Sequence, residues 1–335
     1  MDSPSASAAS VTDGEDPELA LVHNYLLSLD PFGQRFAAVL RNTIDQLLDG
    51  EHTGRFDWDD LHKTEKTHAG TLVELNLLRE FSFESGHDMD YLIQDIEVDC
   101  KFSQKEYGWM IPPEALDEVC LVVWADDHAG LWSAGLLRAS REKLTMSGNV
   151  TKKGNRDGKF RLTRKHHSLV TWLWHRHPLK ENLLLHLDEA TRNAIIAAGT
   201  ATRRGPGQAR VSELFRRVQR RPIDRIVVRT LAQQKDYMKR VRYNGGARTA
   251  LRKHGIVIFG DYPNHQAVAA QLGLPVPQEG ENVSVQVAEA KPHHGNQPQA
   301  FMDGRYWVVA TEGDHEEVAP LLPETKKRAT TDDAA

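Results

Sequence analysis

From Ile96 to Phe102 the chain alternates apolar and charged side chains without a break. Ile96, Val98, Cys100 and Phe102 hold the even positions, and Glu97, Asp99 and Lys101 the odd ones. Successive side chains of a β-strand point to opposite faces. The run is therefore predicted as a strand with one face in a core. Its other face carries carboxylates and an ammonium on rigid backbone. Asp90 to Ile93 precede it across Gln94-Asp95, a spacing that suits a tight hairpin. In such a hairpin Asp90 can meet Asp99.

Metal-assisted phosphodiester hydrolysis needs such an arrangement. Magnesium prefers oxygen ligands, and proteins usually supply one or two carboxylates beside phosphate and water. Asp90 and Asp99 are the candidate metal ligands. Glu74, set among Leu72, Val73, Leu75, Leu77 and Leu78 of a predicted helix, is a candidate third. Lys101 is suited to orient a water and to offset charge developing on the phosphate. The competing structural reading is an exposed edge strand whose charges prevent aggregation.

The apolar spacing predicts helices at Glu18 to Ser28, Gly33 to Leu48 and His68 to Phe81. Cys120 to Trp124 and Leu131 to Leu137 read as strands, so the first part is mixed α/β. Residues 147–166 are polar and basic and read as a linker or DNA-tracking loop. Helices are expected at Leu187 to Ala198, Arg210 to Gln219, Thr230 to Val241 and Ala247 to Lys253. Strands are expected at Ile256 to Phe259, Val283 to Val287 and Tyr306 to Ala310. Helices followed by short strands suit a winged helix-turn-helix.

The net charge of −5 hides a strong partition. Lys plus Arg minus Asp plus Glu is −17 over residues 1–150, +19 over 151–260 and −7 over 261–335. A basic middle of this size attracts a polyanion. Arg210, Arg216, Arg217, Lys239, Arg240, Arg242, Arg248 and Arg252 are the candidate DNA contacts. The Gly245-Gly246 turn permits a sharp bend between two helices. The two cysteines, Cys100 and Cys120, imply no disulfide framework and fit a reducing cytoplasm. No run approaches the ~18 apolar residues of a membrane span.

Paired histidines at His166-His167, His175 with His177, and His293-His294 lack Cys or Glu partners at zinc-site spacing. Leu47-Leu48-Asp49-Gly50 resembles the nucleophile motif of DNA ligases with leucine in the lysine position, which excludes ligase chemistry. The plainer reading is a helix end capped by Gly50.

Several stretches are similar to the NaeI type II restriction endonucleases. They include Leu61 to His68, Thr71 to Glu74, Val98 to Ser103, Trp109 to Glu114, Glu181 to His186 and Gly207 to Val211. The resemblance spans roughly residues 20–320. It implies an α/β (α+β) fold: a PD-(D/E)xK restriction-endonuclease-like mixed sheet flanked by helices, followed by a CAP-like winged helix-turn-helix domain. It carries the catalytic roles onto Glu74, Asp90, Asp99 and Lys101. The proline of the motif is absent, since Met89 precedes Asp90. The resemblance also implies Mg2+, cleavage of double-stranded DNA at a GC-rich palindrome such as GCCGGC, and a homodimer. That dimer binds two DNA copies, one as activator, and the enzyme pairs with a cognate DNA methyltransferase.

The resulting layout is a disordered leader (1–17), a cleavage domain (18–165), a DNA-binding domain (166–322) and a disordered tail (323–335). Two other functions compete. One is a non-cleaving DNA-binding regulator. The other is a DNA-relaxing strand-passage enzyme, for which Tyr237 and Tyr243 are the only nearby nucleophiles.

Overall fold

The computed structural model describes residues 16–145, 158–202 and 205–323. The expected leader up to residue 15, most of the basic linker and the tail from 324 lie outside the described residues. Two compact units emerge. The first runs to Leu48 and resumes from Asp57 to Asn182; the second takes Asp49–Phe56 and everything from Leu183 onward.

In the first unit, Asp16 accepts from Leu19 N at 3.1 Å and caps α1 (Pro17–Leu29). Asp30 then accepts from the amides of Gln34 and Phe36, both at 2.9 Å, and starts α2 (Gln34–Leu48). Along it Phe36, Val39, Leu40, Ile44 and Leu47, at helical spacing, are buried. After α3 (Gly50–Thr53), which belongs to the second unit, comes α4 (Lys63–Phe81). It begins five residues before the predicted His68, because Glu65 accepts from His62 N at 2.8 Å and satisfies an amide of its first turn.

The strands that follow are β1 (Glu84–Ser85), β2 (Tyr91–Ile93), β3 (Ile96–Ser103), β4 (Met110–Ile111), β5 (Val119–Asp126) and β6 (Leu131–Arg138). Then come α5 (Arg141–Thr145), β7 (Phe160–Arg161) and β8 (Thr171–Pro178). Six strands form one sheet in the order β1-β2-β3-β5-β6-β8. It is mixed, with β3 parallel to β5 and the other pairs antiparallel.

Both faces of this sheet are packed. Val98, Cys100, Leu121 and Leu136 join α1, α2 and α4 in one core. Cys120, Val122 and Leu137 join Trp109, Ile111 and Phe160 in another. The edge-strand reading of 96–102 is thereby overturned, because β3 is paired on both sides. Residues 158–166 do not form a linker either. Phe160 and Arg161 pair with β4, and Phe160 is buried. Residues 171–178, which the sequence reading put in the second domain, hydrogen-bond to β6 in the first unit's sheet.

The second unit contains α3, α6 (Leu183–His186), α7 (Glu189–Thr200), α8 (Pro206–Arg217), β9 (Pro222–Asp224), α9 (Arg225–Ala232) and α10 (Ala247–Arg252). After these follow β10 (Ile256–Gly260), α11 (Pro263–Gln271), β11 (Glu281–Glu289), β12 (Gln299–Met302) and β13 (Arg305–Val309). β10, β11, β13 and β12 pair in that order, and β9 adds to β11.

The helix expected at 230–241 is instead divided. Asp224 accepts from Ile226 N at 3.1 Å and starts α9 early. Gln233, at φ 49°, ends it, and Tyr237–Arg240 form a separate 3-10 turn. Gly50 does not cap α2 as expected. Asp49 takes the left-handed turn at φ 47°, and a Cβ on Gly50 would stand 2.2 Å from Thr230 Oγ1. Close packing of α3 on α9 is what requires glycine there, and an ion pair between Glu51 and Arg229 secures the same contact. Among the described residues, no helix is long and apolar enough to cross a membrane.

Candidate active site

The hairpin turns where the sequence predicts. Gln94 and Asp95 adopt φ 54° and 60°, a left-handed pair that returns β3 antiparallel to β2 with Tyr91 opposite Val98. Asp90 therefore faces the middle of β3. Its Oδ2 accepts from Cys100 N at 2.6 Å. Asp99 and Lys101 project from the same side of β3, and Lys101 Nζ lies 2.5 Å from Asp99 Oδ1 and 3.7 Å from Asp90 Oδ2. The structure thus brings together Asp99 and Lys101, which the alternation singled out, and Asp90, which the hairpin spacing added.

Glu74 comes from α4. Tyr91, wholly buried on β2, donates its hydroxyl to the Glu74 carbonyl at 2.8 Å and fixes the helix against the hairpin. Burial, reinforced by the charge of Asp90, raises the pKa of the Glu74 carboxyl. Among the described residues none donates a hydrogen bond to that carboxylate. Burial likewise raises Asp99, against the pull of Lys101. For Lys101 the sign reverses: burial lowers its pKa, but Asp99 and Asp90 outweigh it and the net shift is upward. The buried carboxyl of Asp99 and the half-buried one of Glu74 beside that of Asp90, all oxygen donors, are the chemistry a hard divalent cation stabilises. In donor type the residues present fit such an ion, while Glu74, Asp90 and Asp99 do not themselves bring three ligand atoms within 4.8 Å of one another.

Burial also holds both cysteine thiols well above their usual range. Cys120 lies opposite Asp99 on β5, and its Sγ is 3.7 Å from Asp99 Oδ2. These are inert packing thiols.

Among the described residues, the two groups that do gather three potential ligand atoms within 4.8 Å of one another lie elsewhere: His293, His294 and Asp314, and Asp57, Asp59 and His128. In the first, His294 Nδ1 accepts from Lys291 N at 2.8 Å. Its Nε2 therefore carries the proton and donates to Asp314, so it offers no lone pair to a metal. In the second, Lys66 stands 3.6 Å from Asp59 and already supplies a positive charge.

The candidate DNA contacts divide by exposure. Arg216, Arg217, Lys239 and Arg242 are on the surface of the second unit. Arg216 and Arg217 flank Glu213 at 3.2 and 2.6 Å, and Lys239 pairs with Asp236 at 2.6 Å. Arg210 donates to the Leu231 carbonyl and to Gln233, both at 2.6 Å, tying α8 to the end of α9. Arg240 binds Gln234 at 2.9 Å, and Arg252 donates to the Ala319 carbonyl at 2.8 Å. Arg248 is buried: it shares the inward face of α10 with Ala247 and Leu251, and its Nε donates to the Ile258 carbonyl at 2.9 Å. Its guanidinium anchors α10 rather than meeting solvent.

Sequence reasoning missed Glu97, which folds back to the loop before Asp90, and Tyr91. For Glu97 the available signal is its place on the charged face of β3, one turn of the pleat before Asp99.

The chain is similar to known proteins along most of its length. A family model described as restriction endonuclease NaeI matches residues 20–319. The type II restriction enzyme NaeI of Lentzea aerocolonigenes is 49% identical over 310 residues, which cover 92% of this chain and 95% of that protein.

Proposed function

This chain belongs to the NaeI restriction endonuclease family, and from that premise we propose that it cuts double-stranded DNA at a GC-rich palindrome resembling GCCGGC, with Mg2+ as its ion. Membership makes it a type II restriction enzyme, a site-specific deoxyribonuclease. The observation that carries the chemical reading is the Lys101 ammonium facing both Asp90 and Asp99 across the β2-β3 hairpin.

Asp90 and Asp99, with Glu74 as a third carboxylate, are the residues that would hold the metal. When bound, a divalent ion polarises a phosphoryl oxygen and lowers the pKa of its water. Lys101 donates toward the attacking water and toward the negative charge that builds on the phosphate. Tyr91 and the Cys100 amide keep Glu74 and Asp90 in register with the strand that bears Lys101.

The second unit is proposed to be a winged helix-turn-helix. The order α8, β9, α9, α10, β10, β11, with β9 and β10 both pairing β11, supports this reading. In it α10 follows the Gly245-Gly246 turn as the groove-entering helix, while Arg216, Arg217, Lys239 and Arg242 reach phosphates. A palindromic site suits a symmetric homodimer. A second DNA copy acting as activator, a cytoplasmic location and a partner DNA methyltransferase complete the proposal.

The regulator reading fails against membership in a nuclease family. Strand passage needs an activated tyrosine, and Tyr243 instead lies under the Arg248 guanidinium, 5.5 Å from ring to charge, with its pKa raised by burial. The test is supercoiled plasmid incubated with protein and Mg2+ and, in a separate reaction, with EDTA in place of Mg2+. Discrete linear fragments that vanish with EDTA are expected. Relaxed closed circles, or binding without cutting, would overturn the reading.

A further inference from the structure

The residue before Asp90 is Met89, not proline. Proline has a fixed φ and no N–H. Met89 has a free torsion and an N–H to satisfy, so the segment leading into Asp90 needs another source of rigidity.

Glu97 supplies it. Its side chain leaves β3 and turns back over the segment 86–89. Oε1 accepts from His87 N at 2.8 Å, and Oε2 accepts from Met89 N at 2.9 Å. The fit is tight enough to dictate a neighbour. A Cβ on Gly86 would stand 2.4 Å from Glu97 Oε2 and 2.4 Å from the Met89 carbonyl oxygen, so only glycine closes this loop. Strand β3 thus grips Asp90 twice: through Glu97 on the preceding backbone, and through Cys100 N on the carboxylate itself. The strand carrying Asp99 and Lys101 thereby sets the position of Asp90 relative to them.

We propose that Glu97 is a positioning residue that holds Asp90 in its metal-binding geometry by capturing the His87 and Met89 amides. The inference rests on Asp90 being a metal ligand, as read above.

The experiment uses the full-length protein and three variants, Glu97→Ala, Glu97→Ala with Met89→Pro, and Asp90→Asn. Mn2+ affinity is measured by calorimetry without DNA. The Mg2+ concentration for half-maximal plasmid cutting, the thermal midpoint and metal-free DNA affinity are measured alongside. Residues that orient metal ligands typically contribute about 10–100-fold in metal affinity. Glu97→Ala is expected to weaken Mn2+ binding about tenfold and to raise the Mg2+ requirement by a similar factor. The midpoint and metal-free DNA affinity stay at parent values. Met89→Pro removes one amide that Glu97 serves and fixes φ, so the double variant recovers most of the loss.

Unchanged Mn2+ affinity in Glu97→Ala overturns the proposal if Asp90→Asn has lost affinity. A double variant no better than Glu97→Ala overturns it too, as does a loss matched by an equal fall in thermal midpoint and DNA affinity. Undiminished Mn2+ binding in Asp90→Asn removes the ligand reading itself, and the proposal with it.

Discussion

Lys101 supplies the charge that both aspartates share, and its chemistry is testable alone. Held charged by Asp99 and Asp90 against the effect of burial, it remains an ammonium throughout the neutral range. Removing one such donor typically costs on the order of 10²–10³ in rate. Lys101→Ala is therefore expected to reduce plasmid cutting by at least that factor while leaving duplex affinity in metal-free buffer unchanged, as read by gel shift. Parent-rate cutting would remove Lys101 from the chemistry. At this scale the sequence was legible wherever period decides placement. Strict alternation put Asp99 and Lys101 on one side, and the Gln94-Asp95 turn brought Asp90 opposite. Partners remote in the chain left no such mark: the Tyr91 hydroxyl reaches the carbonyl of Glu74, 17 positions away. For Arg248, charge argued for the surface, whereas its spacing from Ala247 and Leu251 placed it on the inward face.

Elements formed by a single amphipathic stripe, a clear alternation or an unbroken apolar run were readable, as α2, β3 and β5 demonstrate in turn. Those set by one local contact were not. A capping acceptor moved the start of α4 and of α9 by five residues each, and a left-handed Gln233 cut the expected helix in two. The short α3 exists because Gly50 meets Thr230, a contact invisible along the chain. α11 carries a measurable consequence of its placement. Its His265 is fully buried, and Nδ1 accepts from Gly260 N at 3.1 Å. Burial first, then the nearby Arg248 charge, lower its pKa from 6.5 to about 4. Because the folded value lies below the unfolded one, the unfolded chain binds more protons between those two pH values. The stability contribution is complete above pH 6.5 and is lost as pH falls toward 4, amounting to roughly 3 kcal/mol at ~1.36 kcal/mol per unit. In urea titrations between pH 7.5 and 4.5, the parent should lose more stability than His265→Gln. Parallel pH slopes would show that this histidine does not titrate as described.

Across the whole molecule, charge is distributed far less evenly than the net −5 implies, and the sequence displayed this before any element was assigned. What composition could not reveal is how much of the +19 carried by residues 151–260 is available to a partner. Folding withdraws part of it. Arg248 is inside and Arg210 and Arg252 are spent on backbone carbonyls, whereas Arg216 and Arg217, paired with Glu213, and Lys239, paired with Asp236, stay on the surface. Lys239 and Arg242 remain exposed near the turn before α10. Each phosphate contact contributes about 0.9 to the slope of log affinity against log salt. Replacing both Lys239 and Arg242 by alanine is thus expected to flatten that slope by about 2. The weakening should be equal for specific and unrelated duplexes, since phosphates carry no sequence. Arg248→Ala should act differently, lowering the thermal midpoint while the salt slope of the surviving folded protein stays at the parent value. Fluorescence anisotropy over a salt series distinguishes the two. A slope unaltered in the surface pair would mean that the DNA path lies elsewhere on the basic segment.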